Sequence, residues 1–136
     1  MHAAETLVAV RVVASREALD AMTIAAAPSA PGLVLVLRTA PDEALLIGVA
    51  AAAVSVPDEH AIIEGETGFS GLWFSPAEFD ELVRPHIEWA IPTVFPVLAQ
   101  GRVAAVPAKV WFESGRILLV FATAYTDDLV ARLRMR

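Results

Sequence analysis

The residues that could carry proton or metal chemistry are few: His2, His60 and His86, with Glu64, Glu66 and Glu88 as nearby carboxylates. In an extended segment, residues two or four apart share a face, so His60 would stand with Glu64, and His86 with Glu88. Converging imidazole and carboxylate groups can bind a divalent metal or exchange protons. No spacing here defines a metal motif, and polar pairs on a solvated sheet face look the same. The pattern leaves one ligand reading open, a pocket lined by His60, Glu64 or His86, with Glu66 and Glu88 as further candidates.

Other chemistries lack their residues. Cysteine is absent, which removes disulfides, thiolate nucleophiles and zinc sites built on sulfur. The run Gly65-Glu66-Thr67-Gly68-Phe69-Ser70-Gly71 is glycine-rich, but no lysine follows and a strand pattern comes after it, so it reads as a hairpin turn rather than a phosphate loop. No Gly-x-Ser-x-Gly elbow occurs. No catalytic, cofactor-binding or metal-binding residue is nominated, and no cofactor is expected.

Composition narrows the partners. Sixteen acidic against ten basic residues give a net charge of -6, which repels a polyphosphate backbone and argues against nucleic acid. The start, Met1-His2-Ala3-Ala4-Glu5, lacks the cationic and apolar run of a secretory signal, and the weakly polar stretch 44–56 is too short to span a bilayer. A cytoplasmic location without membrane contact is expected. Hydrophobic residues reach 57% with only 19% charged, beyond the composition of an ordinary soluble domain. Apolar area left over once a small core is filled tends to mark a contact surface. Trp73, Phe74, Trp89 and Trp111 are the candidate anchors, since indole rings commonly serve interfaces.

The elements that would position these residues are legible in outline. Residues 6–13 read as a strand, and Ser15 caps a helix running to about Ala26, stopped by the Ala-Pro-Ser-Ala-Pro-Gly segment at 27–32. Residues 33–37 and 44–49 read as a hairpin about Ala40-Pro41-Asp42-Glu43, while 50–56 suits either helix or strand. A second hairpin, 60–64 with 69–74, turns at Gly65 to Gly68. Ser75-Pro76-Ala77-Glu78 is a capping box opening a helix that buries Phe79, Leu82 and Val83 and is ended or kinked by Pro85. Gln100 to Phe112 reads as one long strand interrupted near Pro107, and Ser114-Gly115 turns it into a strand over 116–123. Thr126 then caps a last helix with Asp127 and Asp128 at its positive end and Arg132, Arg134 and Arg136 at its negative end. The expectation is a single α+β domain, 1–136, with an antiparallel sheet, helices packed on it, and split β-α-β (ferredoxin-like) elements in 60–136.

From Ala40 onward the order of features resembles the γ subunit of heterotetrameric sarcosine oxidase, a relative of the folate-binding aminomethyltransferase fold. Ala40-Pro41-Asp42-Glu43-Ala44-Leu45-Leu46-Ile47 is similar to that family's Pro-Asp-Glu segment entering a strand, and Glu64-Gly65-Glu66-Thr67-Gly68-Phe69 to its polar hairpin. Phe74-Ser75-Pro76-Ala77-Glu78-Phe79 stands where the family has a Gly-Pro-Asp-Ala helix start. Gln100 to Pro107 resembles a later strand, and Ala124 to Leu133 the closing helix. The resemblance implies a noncatalytic accessory subunit that packs against a flavoenzyme's other chains, which hold the cofactors, and it carries no functional residue across. Both lines converge on a protein partner, or a second copy of the chain when isolated.

Overall fold

The computed structural model describes residues 3–25 and 34–135. In chain order the elements are β1 (Glu5–Thr6), β2 (Ala9–Val13), α1 (Arg16–Asp20), β3 (Thr23–Ile24), β4 (Leu35–Ala40), β5 (Glu43–Ile47), β6 (Val54–Ser55), β7 (Ile62–Glu66), β8 (Phe69–Phe74), α2 (Pro76–Leu82), β9 (Val97–Val103), β10 (Val106–Phe112), β11 (Ile117–Ala122) and α3 (Thr126–Arg132). The class is α+β, and every described strand pair is antiparallel. The chain forms two compact units, Leu7–Thr67 and Met1–Thr6 with Gly68–Arg136. No helix among the described residues is long and apolar enough to cross a membrane.

The unit Leu7–Thr67 holds a sheet of order β4-β5-β2-β7 and the small ladder β3-β6. Val10, Val12, Ala44 and Leu46 on one sheet face bury against Ala18 and Leu19 of α1. That helix is capped by Ser15, whose hydroxyl accepts from the Ala18 N–H, as its sequence position requires. It stops at Asp20, earlier than the expected Ala26, because Thr23 and Ile24 pair with Ser55 and Val54 instead. The Ala-Pro stop at 27–32 lies outside the described residues. The ambiguous stretch 50–56 is both things in turn, a 3-10 turn at Ala51–Ala53 and then β6.

The other unit is a five-stranded sheet of order β1-β8-β11-β10-β9. Leu72, Phe74, Val110, Phe112, Leu119 and Phe121 form one face of it, covered by Phe79 and Val83 around the end of α2 and by Leu129 and Leu133 around α3. The capping box at Ser75 is present in both directions, with the Glu78 N–H donating to the Ser75 hydroxyl and the Ser75 N–H to the Glu78 carboxylate. Helix α3 starts at its expected cap, one residue earlier than that cap would place it. Thr126 is its first residue and donates its hydroxyl to the Thr123 carbonyl. The helix closes in a Schellman motif, with Arg134 at φ 56 and the Met135 N–H reaching the Val130 carbonyl at 3.1 Å.

Two expectations change here. Strands β7 and β8 do not form a hairpin: β7 pairs with β2, and β8 with β11 and β1, so the two lie in different sheets. Residues 100–112 are not one strand but most of a tight hairpin, in which Val103 pairs with Val106 and Ala104 and Ala105 form the loop. Both alanines have positive φ, 49 and 66, as a two-residue type I′ turn demands. Pro107 does not interrupt a strand, since it lies within β10 in regular register with Arg102, and the ladder to β11 begins one residue later, at Ala108 with Phe121. Strands β8 and β9, joined through α2, are consequently antiparallel and at positions two and five of the sheet. A split β-α-β unit needs its two outer strands parallel, and these are not.

A left-handed conformation costs an L-residue with a Cβ about 1–2 kcal/mol. Replacing Ala105 with glycine should therefore raise stability by up to about 1 kcal/mol, read as a higher urea midpoint at unchanged slope.

Candidate functional site

The side chains nominated from sequence are placed as follows. His60 is in the turn before β7 rather than in a strand, 87% exposed and 3.4 Å from Glu59, so the face-sharing argument with Glu64 does not apply. Glu64 meets Arg11 at 3.1 Å, and Glu43 takes the other side of that guanidinium at 3.0 Å. Hydrogen bonds to Glu43 and then Glu64 raise the Arg11 pKa further above its ordinary value. The described residues hold no group of three His, Asp or Glu side chains arranged for a metal ion. Asp58 serves a local role, accepting from the Ser15 and His60 N–H groups, and those bonds, the Ser15 one foremost, hold its carboxyl below the usual range.

Two places on the five-stranded unit gather the remaining candidates. The first is the end of the β10-β11 hairpin. Trp111, Leu118 and Trp73 are in register across β10, β11 and β8, so both indoles project from the sheet face opposite the α2 and α3 core. Leu118 between them is fully buried. The Trp111 indole N–H donates to Glu113 at 2.7 Å, Arg116 donates to the same carboxylate at 2.9 Å, and the Arg116 guanidinium lies 4.3 Å from the Trp73 ring centroid. A carboxylate and a guanidinium thus tie two half-buried indoles together. The Arg116 bond, and secondarily the Trp111 bond, depresses the Glu113 pKa.

Next to Trp111 stands the segment before β9, with Val94 77% exposed and Phe95 45% exposed. Phe95 stacks on the buried Phe112 ring at 6.2 Å and, with Trp111 and Glu113, lines a shallow depression of about 340 Å³. Phe74 is different from the other three aromatic candidates. It is 2% exposed and edge-on to Phe79 in the core, so it offers no contact surface, because its neighbour Trp73 takes the outward side of the pleat.

The second place is at the opposite end of β10, where His86, Glu88, Trp89, Arg102, Ala104 and Ala105 line a hollow of about 700 Å³. Of the set His60, Glu64 and His86, only His86 belongs to it. Each backbone wall is pinned. The Ala104 N–H donates to the His86 carbonyl at 3.0 Å, the Trp89 indole N–H to the Arg102 carbonyl at 2.9 Å, and Arg132 to the Ala104 carbonyl at 2.8 Å. Trp89 reaches this position because residue 101 is glycine, since a Cβ there would stand 2.6 Å from the indole nitrogen. Sequence reasoning paired His86 with Glu88 but missed Arg102 and the alanine turn, which carries none of the usual Asn, Asp or Gly signals.

No family model and no curated protein matches this chain. The likeness to sarcosine oxidase γ subunits accordingly rests on the quoted segments alone.

Gly101→Ala should force the indole off the Arg102 carbonyl and destabilise the protein by about 1–3 kcal/mol, as overpacking does. In a Trp89→Ala background the same substitution should have little effect, which paired urea titrations would read as a coupling energy. A second expectation concerns acid. Because Glu113 has a lower pKa folded than unfolded, its contribution to stability is present above the unfolded carboxylate range and is lost as pH falls through the folded value. The stability difference between the parent and Glu113→Gln should therefore shrink from about pH 7 to about pH 3 in urea unfolding.

Proposed function

We propose that this chain is a noncatalytic interaction module, an accessory subunit whose contact surface is the Trp111, Trp73 and Phe95 end of the five-stranded sheet. The observation that carries the reading is the pairing of an exposed apolar step, Val94-Phe95, with two half-buried indoles held by the Glu113–Arg116 clamp. Aromatic residues fixed in place lose little entropy on contact and are the usual anchors of protein interfaces. The clamp neutralises its own charges, so a partner covering it meets no unpaired ion at the rim. The high apolar fraction and the resemblance to a γ subunit point the same way.

For the isolated chain the available partner is a second copy. Sedimentation velocity over a concentration series should show reversible association. Burying a valine or phenylalanine side chain is worth about 1.5–3 kcal/mol, so Val94→Ser with Phe95→Ser should weaken that association by roughly tenfold or more. A chain that stays monomeric at high concentration, or a double variant that associates like the parent, would refute the reading.

A further inference from the structure

The sheet face opposite the α2 and α3 core carries a depression separate from the hollow beside Trp89. Lys109 stands there opposite Val120 of β11 and Gln100 of β9. Two residues along each strand, on the same side of the pleat, come Pro107, Ala122 and Arg102, with Phe69 of β8 opposite Ala122. The Arg102 carbonyl meets the Trp89 indole at the strand edge, while its side chain leaves on this face. Together with Tyr125 from the 3-10 turn Thr123–Tyr125, these residues line a hollow of about 400 Å³. That is within the range of small-molecule sites, roughly 300–1,000 Å³.

Charge sets this hollow apart. The protein has sixteen acidic against ten basic residues, yet a lysine and an arginine line the hollow and no described aspartate or glutamate does. Lys109 is the chain's one lysine. Its ammonium lies 5.1 Å from the Phe69 ring centroid and has no carboxylate or hydrogen-bond partner among the described residues. An aromatic face attracts a cation without supplying an oxygen acceptor, so the three ammonium donors stay open. Arg102 is likewise unpaired among the described residues, whereas Arg11, Arg38, Arg84 and Arg116 each meet a carboxylate. In the register row of Lys109 the carboxylate is Glu5, three strand spacings or roughly 14 Å away across β11 and β8.

Lys109 and Arg102 are diagonal neighbours on adjacent strands, a separation of roughly 7–8 Å that long side chains close onto one ligand. Two cations with no acid between them suit a doubly charged anion. A phosphate monoester carries roughly -1.5 to -2 at neutral pH, and its oxygens accept from a compact ammonium and a forked guanidinium together. The size of the hollow and the net charge of -6 disfavour a nucleic-acid strand.

We propose that this hollow binds a small phosphate monoester, its phosphoryl group between Lys109 and Arg102 and an apolar body against Phe69 and Tyr125. The site is independent of the docking surface, because Trp73, Trp111 and Phe95 line no part of it.

A single lysine simplifies the test. Reductive methylation with isotope-labelled formaldehyde keeps the amine charged and gives one lysine signal in the carbon spectrum, assigned by its loss in Lys109→Arg. Phenyl phosphate should move that signal saturably. In calorimetry on the unlabelled chain, Lys109→Gln and Arg102→Gln should each bind phenyl phosphate roughly tenfold more weakly or worse, and the parent should bind inorganic phosphate more weakly than the ester. Arg134→Gln removes the same charge just beyond the far end of α3 and should bind like the parent. Arg102 is exposed, so Arg102→Gln should fold, and a cooperative urea transition would verify it. The proposal fails if phenyl phosphate gives no saturable shift at Lys109, or if Arg102→Gln binds as tightly as the parent. It fails equally if Arg134→Gln weakens binding as much, or if inorganic phosphate binds as tightly as the ester.

Discussion

Phe79 holds the five-stranded unit together. Its ring meets Phe74 edge-on at 6.3 Å and Phe112 edge-on at 5.4 Å, and Phe112 in turn carries Phe95 on its face. Such pairs add about 0.5–1.5 kcal/mol each beyond their buried area. Their larger effect is positional, because this one chain of rings joins α2, β8, β10 and the segment leading into β9. That segment bears Val94 at one place and Trp89 at another, so both candidate sites inherit their geometry from the packing of a helix whose start is set by Ser75 and Glu78.

The sequence was most readable where local chemistry decides structure alone. Ser75-Pro76-Ala77-Glu78 can satisfy its own backbone donors, and it does so as expected. Ser114-Gly115 makes the two-residue turn, closed by the Glu113 N–H on the Arg116 carbonyl at 3.0 Å. Pro41-Asp42 does the same between β4 and β5. In each case the signal and the interaction lie within four residues of one another.

It was least readable where distant contacts override local preference. Gly65 suggested a turn, yet it pairs with Val10 inside β7, because the partner strand lies far back in the chain. The Ala104-Ala105 turn carries no turn residue at all and is held by His86 and Arg132 from elsewhere in sequence. The 700 Å³ hollow depends on that turn and on the close approach of Trp89 to Gly101, so neither its shape nor the place of Arg102 in it was accessible from spacing. His86 and Glu88 line the same hollow, but not as neighbours on a strand face, since His86 lies in a 3-10 turn and not in an extended segment.

The pairing of Glu5 with Gly71 and of Thr6 with Ser70 has a consequence for how the protein is made. Strand β1 emerges from the ribosome early, but the backbone it must bond to is synthesised only after all of β2 to β7. Contacts this far apart in sequence are slow to close, because the entropy of the intervening loop opposes them until the rest of the sheet can reward them. The nascent chain therefore carries its outermost strand unpaired through much of translation, and two residues with polar side chains are well suited to that wait.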